Sequence, residues 1–177
     1  SDADSFPAVP LVLQTAHEGL LEGGIEWQPA VILDLGEMVN GYIGFDVTAQ
    51  AGTVVDITYS QTLVDGKVYP RSAGIYRAAR YTLRAGRQQV ESFAYENMRY
   101  IQFTVRFAKA PVILHSLSIR AIQYPVAQTS TFSCDDSLID KVWLATERTT
   151  RLGMLDILMD NTWREKQGWG GDVSVLV

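Results

Sequence analysis

The chain has 177 residues, of which 47% are hydrophobic and 20% are charged, and this composition is typical of a globular protein with a sizeable core. No stretch approaches the roughly 18 uninterrupted apolar residues that a membrane span needs, so we expect no membrane partner. The net charge of −5 and the lack of any Lys/Arg cluster remove the electrostatic attraction behind most nucleic-acid binding, so we expect no nucleic-acid partner either.

The first predicted elements are β-strands, because apolar residues recur with period two from Val31 to Tyr124. The clearest runs cover residues 43–47 and 55–59, and the Ala51-Gly52 turn signal between them predicts a hairpin-like pair. Further runs follow at residues 80–83, 101–107 and 117–121. Many short strands with turn signals and no interleaved helical pattern predict a mainly β fold, an antiparallel β-sandwich of jelly-roll type.

The pattern changes after Pro125, where helical spacing replaces the strand period. Side-chain oxygens in residues 133–136 can cap a helix start, and apolar residues then recur at helical spacing over residues 138–152. We therefore expect the sandwich to fill residues 1–126 and a short C-terminal helical segment to begin a second unit, residues 127–177. The rest of that unit is rich in Gly, Trp and acidic residues and is predicted to be loop.

Residues 160–172 read Asp-Asn-Thr-Trp-Arg-Glu-Lys-Gln-Gly-Trp-Gly-Gly-Asp and carry the strongest chemical signal in the chain. Carboxylates placed together raise one another's pKa and can share a proton, which suits general acid and base work at neutral pH. Indole faces pack well on the apolar faces of a sugar ring, and glycines let the backbone approach a ligand. The composition favours sugar chemistry, although a solvated acidic loop with its two indoles in the core fits it equally well.

This segment resembles the signature of bacterial α-L-rhamnosidases, which in words is Asp, any, Pro, any, Arg, Glu, Lys, any, Gly, Trp, any, Gly, Asp. The residues at matching places are Asp160, Arg164, Glu165, Lys166, Gly168, Trp169, Gly171 and Asp172. The resemblance extends upstream to the β-domain that precedes the barrel in that family. It is carried there by Leu33-Asp34-Leu35-Gly36, Leu63-Val64-Asp65-Gly66 and Asn97-Met98-Arg99-Tyr100.

The resemblance implies an enzyme that hydrolyses terminal α-L-rhamnosides with inversion in an (α/α)6 barrel, without a metal or another cofactor. Glu165 matches the family's general acid, whereas Asp160 and Asp172 match residues that bind rhamnose hydroxyls and shift the pKa of the acid. Arg164 and Trp169 are expected to shape the pocket. Inversion needs a base about 6.5 to 9.5 Å from the acid, and the residue that matches this base lies outside the chain.

Three positions of the segment depart from the family pattern. Asn161 stands where Cys is common, Thr162 where Pro is usual, and Trp163 where a polar residue is more frequent. The missing proline removes a restriction on φ and the extra indole offers a stacking surface, so the departures leave the substrate preference open.

Histidine and cysteine spacing predicts no metal site. His17 and His115 lie far apart in sequence, and neither an H-E-x-x-H pattern nor paired cysteines accompany them. We therefore expect His115 to be a histidine at a strand end and not a ligand.

The resemblance also implies that residues 127–177 form only the start of the barrel, so we expect the isolated chain to be inactive. The implied ligand is a rhamnose-containing glycoside or polysaccharide, and a homo-oligomer is possible. The compartment stays open between the bacterial cytoplasm and a secreted or periplasmic location after signal removal. The alternative function is a carbohydrate-binding or structural β-sandwich module, in which Glu165 has no essential role.

Overall fold

A computed structural model describes residues 11–13, 29–72, 74–127 and 130–174, and these residues form eleven strands and two helices. The strands are β1 (Leu11–Leu13), β2 (Ala30–Ala49), β3 (Val54–Ser60), β4 (Leu63–Val64), β5 (Lys67–Val68), β6 (Arg71–Ser72), β7 (Ile75–Tyr76), β8 (Ala78–Thr82), β9 (Gly86–Glu91), β10 (Glu96–Arg106) and β11 (Val112–Ala121). The helices are α1 (Ser137–Gly153) and α2 (Gly170–Val173). Strands therefore dominate the part of the chain before residue 122.

The long strand β2 joins two antiparallel half-sheets. Its first residues pair with β10, which continues through β3 to β8. Its last residues pair with β11 on one side and with β9 on the other, and β1 adds to β11. β2 therefore belongs to both layers of the structure.

The core lies between these two half-sheets. Phe45 projects from the second half of β2 and meets two rings of the opposite half-sheet edge to face, Phe103 at 5.4 Å and Tyr81 at 5.3 Å between centroids. Alternate residues of both halves join one buried cluster, among them Ile43, Val47, Val55, Ile57, Ile101, Val105, Val112 and Leu114. This two-layer packing confirms the predicted mainly β fold and antiparallel sandwich.

The predicted hairpin between residues 43–47 and 55–59 is wrong, because β10 lies between β2 and β3 in the sheet. Ile101 of β10 faces Leu33 on one side and Tyr59 on the other. The second half of β2 pairs with β9 on one edge and with β11 on the other, so neither edge is free to pair with β3. The period of two fixes which face each side chain occupies, but it does not select the neighbouring strand.

An excursion, defined as residues 60–77, leaves the sheet after β3 and returns at β8. It contains the small hairpins β4–β5 and β6–β7. The first has a two-residue turn, Asp65-Gly66, with φ of 50° and 71°, which suits the right-handed twist of the strands. Val68 is only 5% exposed and borders a groove on the outer face of β3 and β10, so the excursion covers one end of that face.

Helix α1 begins where the sequence predicts a cap. The Asp136 side chain accepts a hydrogen bond from the Leu138 N–H at 2.8 Å, and the helix runs one residue further at each end than predicted. Its last turn is tied to the sandwich, since the Asn40 amide donates to the Leu152 carbonyl at 2.7 Å. Across the described ranges, each helix is too short or too polar to cross a membrane.

Candidate active site

The candidate active-site loop, defined as residues 159–167, is closed on itself and attached to the end of α1. The Asp160 N–H donates to the Gln167 carbonyl at 2.9 Å, which joins the two ends of the loop. Met159 donates its N–H to the Gly153 carbonyl, also at 2.9 Å, and is 2% exposed. These contacts hold the loop in place although it contains no regular element.

Asn161 organises the carboxylates of the loop. Its side-chain amide donates to Asp160 and also to Glu165, the latter at 2.8 Å. Its carbonyl oxygen accepts the backbone N–H of Trp163 at 3.3 Å and that of Arg164 at 2.7 Å. One side chain therefore sets both the turn of the backbone and the spacing of two carboxylates, as short polar side chains commonly do in turns.

Hydrogen bonds within the loop lower the pKa of Asp160. Burial favours the neutral acid, but the N–H groups of Gln167 and Asn161, with side-chain hydrogen bonds from Glu165 and Asn161, hold the pKa of Asp160 below its usual value. Gln167 donates to the Asp160 carboxylate at 3.0 Å. The Arg164 guanidinium forms an ion pair with Glu165, and this pair raises the pKa of Arg164.

Lys166 attaches the loop to the sandwich. Its backbone lies in the left-handed region with φ of 54°, a conformation that side chains other than glycine adopt infrequently. Its ammonium group donates to the Tyr95 carbonyl at 2.8 Å and to Glu96 at 3.2 Å, and lies 4.4 Å from the centre of the Tyr95 ring. The residue after Glu165 is thereby held at the start of β10.

A second attachment involves Trp163 and the excursion. The Arg77 guanidinium carbon lies 4.3 Å from the centre of the Trp163 ring, and an Arg77 nitrogen lies 3.5 Å from Glu96. Burial lowers the pKa of Arg77, with Glu96 and Tyr59 opposing the shift. Burial and the Glu96 carboxylate raise the pKa of Tyr59. Glu96 is therefore shared by Lys166 of the loop and Arg77 of the excursion.

The structure brings together three of the five residues proposed from the sequence, Asp160, Arg164 and Glu165. Trp169 lies beyond the loop and is 55% exposed, and Asp172 lies in the first turn of α2. Within the described ranges, neither side chain forms a hydrogen bond or ion pair with the other three. The five therefore do not form one cluster in this chain.

Sequence reasoning missed the residues that support the loop. Asn161 stood out only as a departure from the family pattern, and Lys166 only as a match to it. Arg77, Glu96 and Tyr95 belong to no motif, because what brings them to the loop is the pairing of distant strands. A polar residue at a strand end beside an aromatic one, as at Tyr95-Glu96, is too common a pattern to identify them.

Potential metal ligands are not clustered in the part of the chain that the structure describes. Among the residues that the structure describes, no three His, Cys, Asp or Glu side chains are grouped so as to hold a metal ion. His115 lies inside β11 and not at a strand end as predicted, and it is hydrogen-bonded to the Thr48 hydroxyl at 2.8 Å. His17 lies outside the described residues.

The family of this chain follows from its matches to two family models. Residues 27–123 match the bacterial alpha-L-rhamnosidase concanavalin-like domain, and residues 127–177 match the bacterial alpha-L-rhamnosidase 6 hairpin glycosidase domain. The chain belongs to the bacterial α-L-rhamnosidase family. Two α-L-rhamnosidases are similar to it, one from Formosa agariphila at 24% identity over 96% of the chain and one from Streptomyces avermitilis at 29% over 85%. The chain spans 18% and 15% of their respective lengths.

Solved rhamnosidase structures have the same fold. The GH78 family rhamnosidase of Bacillus sp. GL1 is 32% identical and superposes with a TM-score of 0.76 over 94% of this chain and 17% of its own. A rhamnosidase from Klebsiella oxytoca, solved with rhamnose bound, superposes with a TM-score of 0.74 over 84% of this chain and 32% of its own. At 15% identity, the Klebsiella structure supports the fold alone.

Proposed function

We propose that this chain supplies the β-sandwich and the general acid of a glycoside hydrolase that releases terminal α-L-rhamnose with inversion. Residues 1–126 are the accessory sandwich, and residues 127–177 begin the catalytic (α/α)6 barrel. The ligand is a rhamnose-containing glycoside or polysaccharide. Membership of the α-L-rhamnosidase family and the two similar α-L-rhamnosidases support this choice of sugar.

The observation that carries the proposal is the pair of carboxylates bridged by Asn161. Glu165 is the general acid that protonates the leaving glycosidic oxygen. Asp160 stays ionised because hydrogen bonds hold its pKa low, so it acts as a hydrogen-bond acceptor for sugar hydroxyls and not as a proton donor. Two neighbouring carboxyl groups with different environments are the usual basis for assigning different roles.

The remaining proposed residues shape the sugar site. Arg164 pairs with Glu165 and limits the positions its carboxylate can take. Trp169 offers an exposed indole face to a sugar ring, and Asp172 accepts hydroxyl hydrogen bonds at the start of α2. The general base, which activates water on the opposite face of the sugar, lies outside this chain.

A carbohydrate-binding or structural module is the second candidate function. The open groove on the outer face of the sandwich, about 410 Å³ in volume and lined by both polar and apolar side chains, favours it. In such a module, substitutions lining the groove would weaken sugar binding, whereas Glu165 would be dispensable.

The test is the Glu165→Gln substitution in a protein where this chain is joined to a complete barrel. On a disaccharide whose leaving group needs protonation, turnover should fall by about 10² to 10⁴ because Gln cannot donate the proton. Glu147→Gln, which removes a carboxylate paired with Arg151 on α1, is the matched control and should leave turnover within about twofold. Equal effects of the two substitutions would exclude Glu165 as the acid.

A further inference from the structure

A small cavity lies between the excursion and the candidate active-site loop. It has a volume of about 140 Å³, and Trp163 of the loop forms one of its walls. The other walls come from the excursion, from Ser60, Gln61, Thr62, Val64, Tyr69 and Arg77. Pockets for drug-sized ligands start at roughly 300 Å³, so this cavity suits one functional group and the atoms that bear it. Trp163 lies two residues before Glu165, which places the cavity beside the acid's own segment.

Arg77 is the buried charge in the wall of this cavity. Its side chain is 3% exposed, and one terminal nitrogen lies 3.5 Å from Glu96. Its Nε and Nη2 atoms are buried and have no hydrogen-bond partner among the described residues. The backbone on both sides is fixed, since its N–H donates to Pro70 and its carbonyl accepts from Tyr59. The guanidinium therefore has one edge without a hydrogen-bond partner among the described residues, which is costly unless a ligand occupies that edge.

In other arginines of this chain, the edge formed by Nε and Nη2 binds a carboxylate. Four arginines each direct Nε and Nη2 at one carboxylate, at 2.6 to 3.0 Å: Arg80, Arg87, Arg99 and Arg120. This edge matches the geometry of a carboxylate, which it binds with two parallel hydrogen bonds. Arg77 and Lys166 both pair with Glu96, so the Arg77 guanidinium shares its carboxylate partner with a second cation.

We propose that this cavity is a subsite for a carboxylate on the leaving group, so that the preferred substrate joins rhamnose to an acidic sugar. The inference rests on the proposed function, because it assigns the cavity to the leaving-group side of the acid Glu165. Arg77 binds the carboxylate through Nε and Nη2, and the half-exposed ring of Tyr69 at the rim packs on the sugar ring. The sandwich thereby contributes to substrate choice as well as to support of the loop.

The test measures binding of two probes to the 177-residue chain by ¹H–¹⁵N NMR, with the indole N–H of Trp163 as reporter. Methyl β-D-glucuronoside and methyl β-D-glucoside differ only in a carboxylate against a hydroxymethyl group. We expect the glucuronoside to bind at least about tenfold more tightly, as a charge-assisted hydrogen-bond pair allows. Arg77→Lys keeps the charge but loses the forked edge, so it should remove most of this preference.

A second pair of variants keeps the test valid if Arg77→Lys does not fold. Val64 lines the cavity and is 52% exposed, so Val64→Glu and Val64→Gln should both fold. The new carboxylate should compete for Arg77 and weaken glucuronoside binding about tenfold, whereas the amide should not. Equal affinity for the two probes, or equal effects of Val64→Glu and Val64→Gln, would overturn the inference. Since no hydrolysis is measured, either result is independent of the Glu165 test.

Discussion

Asp56 illustrates how single residues stabilise the outer face of the sandwich. Its side chain is 13% exposed and accepts hydrogen bonds from Arg80 at 2.6 and 2.8 Å and from Arg106. The hydrogen bond from Arg80, with that from Arg106, lowers the pKa of Asp56 against the opposing effect of burial. A carboxylate with a lowered pKa stabilises the folded chain at neutral pH, and this contribution is lost as the pH falls through the folded-state value.

Asp56→Asn should therefore destabilise the chain in a pH-dependent way. At pH 7 we expect a loss of roughly 1 to 3 kcal/mol in the free energy of unfolding, because two arginines lose their charged acceptor. Below the unfolded value of about 3.8 the gap between the two proteins should narrow, since the wild-type carboxyl is then protonated too. Urea unfolding at several pH values measures this difference in the free energy of unfolding between the wild type and the variant. Asp34→Asn, in an exposed pair with Arg99, is the control, and an equally large, pH-dependent loss there would contradict the account.

At this scale the sequence identified residues with a recognisable chemical pattern and missed those placed by tertiary structure. Asp160, Arg164 and Glu165 lie in one short segment, so their proximity follows from the chain itself. Arg77 and Glu96 are separated from that segment by more than sixty residues and reach it only because β10 and the excursion fold against the loop. Nothing in the local sequence around either residue indicates that contact.

A line of buried amides connects separate elements. Asn97 of β10 donates to Asn40 of β2 at 2.8 Å, and Asn40 donates in turn to Leu152 at the end of α1. Gln61 donates to Asn97 from the excursion at 2.9 Å. Asn97 and Asn40 are 0% and 2% exposed, so each amide depends on its neighbour for hydrogen bonds.

Asn97→Ala should loosen this connection between elements. The substitution leaves the buried amide of Asn40 and the half-buried amide of Gln61 without their partner, which should lower the free energy of unfolding by roughly 1 to 3 kcal/mol. Urea denaturation followed by circular dichroism measures the loss. Gln50→Ala removes an exposed amide that forms no side-chain hydrogen bond among the described residues, and should change stability by no more than about 0.5 kcal/mol. Similar losses for the two variants would contradict the importance of the buried line.

The sequence predicted which strands and helices exist better than it predicted which strands pair. The predicted strands and the helix after Asp136 are present, because alternation and capping are local properties. The pairing of β2 with β9, β10 and β11 depends on which edges are free once the two layers close, and that is a property of the whole domain. The hairpin prediction failed for this reason.

At the scale of the whole molecule, the chain carries the proposed acid but not the proposed base. Inversion needs both groups, on opposite sides of the sugar. Six helical hairpins amount to twelve helices, which at a mean of about 11 to 12 residues need well over 100 residues. The chain spans only 18% and 15% of its two curated relatives, and large apolar side chains of α1 are exposed, among them Leu138 and Leu144.

We therefore predict that the 177-residue chain alone does not hydrolyse an aryl α-L-rhamnoside. Among the residues that the structure describes, α1 and α2 are the only helices that could enclose the loop and exclude water, and the proposed base lies outside this chain. Release of the aryl group should equal that of the Glu165→Gln chain, measured side by side. Hydrolysis that the substitution abolishes would mean that two copies of the chain, or far less of the barrel, suffice for the chemistry.

The role of Glu165 is tested most directly by the dependence of kcat/KM on the leaving group. The measurement uses a series of aryl α-L-rhamnosides of increasing phenol pKa, hydrolysed by a protein in which this chain is joined to a complete barrel and by its Glu165→Gln variant. With an acid in place, kcat/KM should vary little along the series, whereas the variant should lose activity steeply as the phenol becomes more basic. Parallel dependences for the two proteins would contradict the assignment of Glu165 as the general acid.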